Sequence, residues 1–223
     1  MFNTCFADDL LTVEVDSSPL DTRSYRALTL PNKLKVLLVT DKASDNAAAA
    51  MNLAVGHFSD PIDRPGIAHF CEHMLYMGTA KYPDEASFRQ FLAENGGSTN
   101  AYTYLEDTNY HFQITVKSKD EDVNSRKKIY EALDRFSQLF AAPLFTESAV
   151  NREVNAVDSE NEKNLQSDDH RLIQLHKSTV NPDHPYHKFG TGSKETLDKE
   201  DLREVLLRFH DQYYSADIMT LTL

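Results

Sequence analysis

Gly66-Ile67-Ala68-His69-Phe70-Cys71-Glu72-His73-Met74-Leu75 is the stretch on which the reading of this chain turns. Its apolar residues Ile67, Phe70, Met74 and Leu75 recur at helical spacing. The Pro- and Gly-bearing loop 60–66 precedes them, so the pattern predicts an apolar helix over 67–77. Within it lies His-x-x-Glu-His. At about 100° per residue, His73 falls roughly 40° around the helix from His69, so both imidazoles leave one face and can share a metal ion. Glu72 lies roughly 60° to one side of His69 by the same arithmetic. The arrangement is close to a mirror image of His-Glu-x-x-His: the histidine pair is kept and the carboxylate moves to the opposite flank. Either order lets the carboxylate reach a metal-bound water. The competing reading is a buried structural network, because polar groups on an otherwise apolar helix need partners.

A hydrolytic zinc site needs a third protein ligand and an open position for water. Thr146 is a plausible N-cap for a long polar helix reaching residue 177, and that helix carries Glu147, Glu153, Asp158, Glu160 and Glu162. Glu153 and Glu160 are two helical turns apart and share a face, so one could ligate while the other holds an imidazole. Spacing alone does not choose among the five acids, and most acids on a polar helix are simply solvated.

Outward from these helices, strands are expected over 11–15, 25–30, 34–40 and 47–55, with Pro31-Asn32-Lys33 closing a hairpin between the second and third. A helix over 84–94, with Phe88, Phe91 and Leu92 on one face, should end at Asn95-Gly96-Gly97. Residues 98–116 read as two strands joined near Glu106-Asp107, and the charged stretch 117–128 as a loop and a helix start. Ile129, Leu133, Phe136 and Phe140 then mark a helix that Pro143 stops. After a Pro/His/Gly-rich loop over 181–192, a last helix is expected over 198–214. The closing apolar residues 218–223 read as a strand with no partner after it, which points to a domain incomplete at its C-terminal end. Without regular βαβ alternation the fold class is α+β: a mixed, largely antiparallel sheet with helices packed mainly on one side.

The composition fits this reading. The chain has 223 residues, 40% hydrophobic and 26% charged, which excludes disordered and collagen-like classes. A net charge of −12 argues against nucleic acid or an anionic membrane as the main partner. The longest apolar run, 47–55, is far short of a membrane span. Two cysteines, Cys5 and Cys71, are too few for a disulfide framework, and residues 1–16 lack the basic start of a secretory signal. Both features suggest a reducing, cytoplasmic (cytosolic) compartment. Gly190-Thr191-Gly192-Ser193 lacks the spacing of a phosphate-binding loop, and Pro185 breaks any helical pairing of His184 with His187.

His69-Phe70-Cys71-Glu72-His73 and the following Met74-Leu75-Tyr76-Met77-Gly78-Thr79 closely resemble the inverzincin zinc metallopeptidases of the pitrilysin/insulysin type. Three further segments match in the same order. Residues 97–103, Gly-Ser-Thr-Asn-Ala-Tyr-Thr, are similar to that family's substrate-facing strand. Residues 152–160, Arg-Glu-Val-Asn-Ala-Val-Asp-Ser-Glu, are similar to its third-ligand helix, and Phe189-Gly190-Thr191-Gly192 to a later loop. Nardilysin-like members carry a long acidic insertion absent here, and mitochondrial processing peptidase subunits would bring a transit segment.

The resemblance implies His69, His73 and Glu160 as ligands of one Zn2+ per chain, Glu72 as general base, and Glu153 as an acid beside the site. It implies Asn100 and Ala101 as positions where a peptide adds along a sheet edge; read alone, Asn100 could equally be a turn residue after Gly96-Gly97. The whole of 1–223 would then be one N-terminal metallopeptidase domain, a zinc-dependent endopeptidase acting on short to medium extended peptides. Longer family members close a chamber with a second half that supplies an Arg and a Tyr. The expected partners are therefore peptide substrates and a missing C-terminal half, with a homo-oligomer left open, and the alternative is a zinc-binding chamber half inactive by itself. One departure stands out: His73 and Glu160 are 87 residues apart, about ten more than is usual, and the charged stretch 117–128 is where a surface insertion costs little.

Overall fold

The computed structural model describes residues 11–116 and 123–223. Cys5, the N-terminal segment through residue 10 and the first half of the charged stretch 117–128 lie outside them. Strands β1 (Leu11–Val13), β2 (Ser24–Thr29), β3 (Lys35–Thr40) and β4 (Asn46–Leu53) come first, followed by helices α1 (Ile67–Leu75) and α2 (Ser87–Glu94). Strands β5 (Ser98–Thr103) and β6 (Thr108–Thr115) form a hairpin; α3 (Val123–Ala141), α4 (Glu147–Asn164) and α5 (Asp168–Thr179) follow. The chain ends with α6 (Lys194–Leu197), α7 (Leu202–Tyr213) and β7 (Met219–Thr222).

Among the described residues these strands make one sheet in the order β1-β2-β3-β7-β4-β6-β5. All its pairings are antiparallel except β3 with β7, so the mixed α+β class expected from the sequence holds. The hairpin through Pro31-Asn32-Lys33 is present, with Leu28 opposite Val36 and both buried.

The closing strand is where the expectation fails. Far from lacking a partner, β7 sits inside the sheet, parallel to β3 (Lys35 opposite Thr220) and antiparallel to β4 (Leu53 opposite Met219). Its partners lie more than 160 residues earlier, and local periodicity carries no information about pairing at that range. The long polar helix is also corrected. It breaks into α4 and α5 at Leu165-Gln166-Ser167, where Ser167 leaves helical geometry and Asp168 and Asp169 open a new first turn. The last helix stands within its expected span as α7, and the single turn α6 precedes it in what the sequence reads as neither helix nor strand.

One core lies between the sheet and the helices. α1 crosses it almost fully buried, with Ile67, Phe70, Cys71, Met74 and Leu75 each 0% exposed. Tyr110, Phe112, Phe136 and Phe140 stack edge to face beneath it. Burying each such side chain stabilises by about 1.5–3 kcal/mol, which is what holds a nine-residue helix rigidly against the sheet. α1 packs on α4, α7 and β5, and β5 is an outer strand. The helix of the His-x-x-Glu-His motif, the helix of Glu160 and the strand of Asn100 therefore converge at one sheet edge.

Candidate metal centre

The position of α1 is set first by its N-terminus. The Asp60 carboxylate accepts the backbone N–H of Gly66 at 2.7 Å and of Ala68 at 2.8 Å, satisfying two donors that the helix itself leaves open. Burial pushes the Asp60 carboxyl up to about 7 although those two hydrogen bonds pull it down. Gly66 adopts a left-handed φ of 96° and lies so close to Gly192 that a Cβ on it would stand 2.3 Å from the Gly192 Cα. The 189–192 loop thus presses directly on the start of the motif helix.

From that helix His69 and His73 project together, with ring centroids 4.8 Å apart and planes at 87°. The His69 Nδ1 lies 2.7 Å from the Thr191 carbonyl oxygen; a carbonyl only accepts, so Nδ1 carries the hydrogen. The His73 Nδ1 likewise faces Glu153 Oε2 at 3.2 Å. With both Nδ1 atoms donating, each neutral ring presents a bare Nε2, and the two Nε2 atoms lie 3.6 Å and 3.5 Å from the same Glu160 oxygen. One donor atom from each of His69, His73 and Glu160 falls within a 4.8 Å spread.

The carboxylates around His73 favour positive charge there, so in the ion-free chain its Nε2 holds a proton that a metal ion would replace. Burial alone would lower the His73 pKa, but the hydrogen bonds to Glu153 and Glu160 and the charge of Glu72 outweigh it and raise it to about 9. Bonding to His73 holds the Glu160 carboxyl below its ordinary range, against partial burial. Two imidazoles and a carboxylate, ordered from behind and sharing one point, suit a borderline divalent ion such as zinc. That donor set fits the zinc that the resemblance implies.

The other residues singled out in the sequence are also placed. Glu72, 8% exposed, accepts a 2.6 Å hydrogen bond from Thr103 Oγ1 on β5. Asn100 and Ala101 line the same cleft, of about 780 Å³, together with His69, Glu72, His73 and Glu160. The Tyr76 hydroxyl donates to the Asn100 carbonyl at 3.1 Å and so ties β5 to the end of α1. Cys71 is fully buried on the far side of the helix, and burial pushes its thiol up to about 12, which makes it an inert packing residue. His184 caps the turn at 185–187 by accepting from the Tyr186 N–H.

Sequence reasoning missed Asp60, Thr103, Thr191 and His57. His57 lines the cleft with its ring lying against Gly190, where a Cβ would come within 2.7 Å of it. Burial, with the charges of Lys177 and His69, depresses its pKa to about 4.

Comparison with known proteins places this architecture. Residues 35–183 match the family model described as Insulinase (Peptidase family M16). The chain is 50% identical over 215 residues to insulin-degrading enzyme of Drosophila melanogaster, covering 94% of this chain and 21% of that protein. It is 49% identical over 211 residues to insulin-degrading enzyme of Homo sapiens, covering 92% and 20%. The crystal structure of pitrilysin superposes with a TM-score of 0.87 at 33% identity, over 96% of this chain and 22% of that one. The fold is that of the M16-type metallopeptidases. The chain belongs to the insulinase family, peptidase family M16. It spans about a fifth of the length of the relatives it matches.

Proposed function

We propose that the chain carries the zinc centre of a metalloendopeptidase that cuts short to medium peptides in extended conformation. The observation that carries this reading is the meeting of His69 Nε2 and His73 Nε2 on one Glu160 oxygen, while each Nδ1 is held by a separate acceptor. His69, His73 and Glu160 would hold one zinc ion, and Glu153 orients His73. When bound, zinc supplies Lewis acidity, polarising a carbonyl and lowering the pKa of a water toward ~7.

The chain's own residues account for the remaining chemistry. Glu72, held by Thr103, accepts the proton of the attacking water and returns it to the leaving amine. The outer strand β5, at Asn100 and Ala101, offers backbone groups to a peptide added as a further strand. Recognition of that kind reads backbone more than side chains, so flexible peptides are better substrates than folded proteins. The cysteine usage that suggests the cytosol fits such peptide turnover, and no helix among the described residues is long and apolar enough to cross a membrane.

A second reading is favoured by one specific feature. Leu165, Leu172, Ile173 and Leu175, on and just before α5, are each more than half exposed. Apolar side chains left open beside the cleft fit a chamber half whose other wall comes from the rest of a protein about five times as long. In that reading the N-terminal domain holds metal but cannot turn over alone.

The test is elemental analysis of the purified chain beside Glu160→Gln, with a quenched fluorescent peptide assay on both. About one zinc per wild-type chain, lost in the variant, is expected; turnover then separates a self-sufficient enzyme from a chamber half. A folded wild-type chain that takes up no zinc would sink the proposal.

A further inference from the structure

The charges that line the cleft are distributed against the charge of the chain. Acids outnumber bases by 35 to 23 over the whole sequence. In the cleft the only carboxylates among the described lining residues are Glu72, Glu153 and Glu160, all of which belong to the metal centre. The remaining ionised groups are Arg89, Arg171 and Lys177. A divalent ion held at the centre would offset most of the three carboxylates and would leave the cleft cationic on an otherwise anionic chain.

The three cations are not equally free. Lys177 is buried and donates to the Lys188 carbonyl at 3.1 Å. Arg171 pairs with Asp168 at 3.2 Å on its own helix. Arg89 is exposed and, among the described residues, forms no salt bridge. Its guanidinium lies over the Tyr76 ring, 5.0 Å from the centroid, and Tyr76 is the side chain bonded to the Asn100 carbonyl. Stacking on an aromatic face fixes the plane of an arginine and leaves its N–H edges available for a carboxylate fork. The ring beneath Arg89 thus anchors it to the strand along which the peptide is proposed to lie.

We infer that Arg89 is a specificity-determining residue that takes a carboxylate of the bound peptide at the Asn100 end of the cleft. This rests on the peptide-cleft reading of the preceding section. The carboxylate is an acidic side chain or the peptide's own C-terminus.

The experiment is fluorescence anisotropy on the zinc-loaded chain carrying Glu72→Gln, so that peptides are bound without being cut. Four labelled peptides of one sequence are compared: amidated with a single Glu, amidated with Gln in its place, amidated with Lys, and the Gln peptide with a free C-terminus. At low salt the Glu or the free-acid peptide is expected to bind about fivefold more tightly than the amidated Gln peptide, whichever supplies the carboxylate. The gain should shrink as salt is raised and vanish in Arg89→Gln. In Arg89→Glu the Lys peptide should bind best. Equal binding of all four to the Arg89 chain, or a gain that survives Arg89→Gln, overturns the assignment and leaves the peptide cleft intact. Binding of none of them removes the peptide-cleft reading itself.

Discussion

The His69 Nδ1 lies 2.7 Å from the carbonyl oxygen of Thr191, a residue 122 positions further along the chain. The first imidazole of the motif is therefore oriented by the 189–192 loop and not by its own helix. That loop depends on Gly192, whose φ of 83° is left-handed and whose Cβ would meet Leu197 at 3.0 Å and Val157 at 3.3 Å. For Gly192→Ala we expect a loss of about 1–2 kcal/mol of stability from backbone strain. Displacing the acceptor of His69 should also weaken zinc about tenfold. Competition with a chromogenic chelator and urea unfolding measure the two effects; a variant as tight and as stable as wild type would detach the loop from the site.

Glu153 and Glu160 occupy one face of α4 but touch His73 on different nitrogens, at 3.2 Å to Nδ1 and 3.5 Å to Nε2. Their substitutions should part accordingly. Glu160→Gln removes the anionic donor and is expected to abolish stoichiometric zinc. Glu153→Gln keeps a hydrogen-bond acceptor for Nδ1–H and should lose no more than about tenfold in affinity, whereas Glu153→Ala should lose about 10- to 100-fold. Zinc titration of the three variants decides it, and an inverted order would exchange the roles of the two acids.

What the sequence displayed and what it concealed follow one physical division. The motif helix, the Thr146 cap, the hairpin at Asn32 and the two strands joined near Asp107 are local features, written in residues a few positions apart. His69, Glu72 and His73 share that locality, and the two-turn spacing of Glu153 and Glu160 places both acids on one face. Concealed were the partners that arrive from afar: Thr191 for His69, Thr103 for Glu72, β3 and β4 for β7. Asp60 was hidden for a different reason. It caps α1 from six residues before Gly66, too far ahead for the usual cap register. The break at Ser167 left a signal, an N-cap residue before two acids, but the continuing polar pattern on either side masks it.

β7 makes a separate prediction because it fills the gap between β3 and β4. Removing residues 219–223 would leave two central strands with open edges and expose the core that Met219 covers at 6% exposure. The shortened chain should aggregate or lose its cooperative thermal transition. Met219→Ala, which keeps the backbone ladder, should cost about 2–5 kcal/mol in urea unfolding. A truncated chain that melts like the full one would mean that β7 contributes nothing to the sheet.

His57 predicts the acid response of the metal-free fold. Its folded pKa is depressed to about 4 from an ordinary 6.5, chiefly by burial, then by the charges of Lys177 and His69. Between those values the unfolded chain binds more protons than the folded one, so stability rises with pH across that window. The contribution is fully present above pH 6.5 and is lost as the pH falls through 4. A shift of that size corresponds to about 3 kcal/mol at most. In chelator-treated protein, urea midpoints at pH 7, 6, 5 and 4 should fall more steeply for wild type than for His57→Gln, which removes the titrating ring. Parallel pH profiles would show that the ring against Gly190 charges as readily in the folded chain as in the unfolded one. The imidazole would then be solvated from the cleft, and the acid lability would have to come from carboxylates such as Glu160, whose pKa is held low by His73.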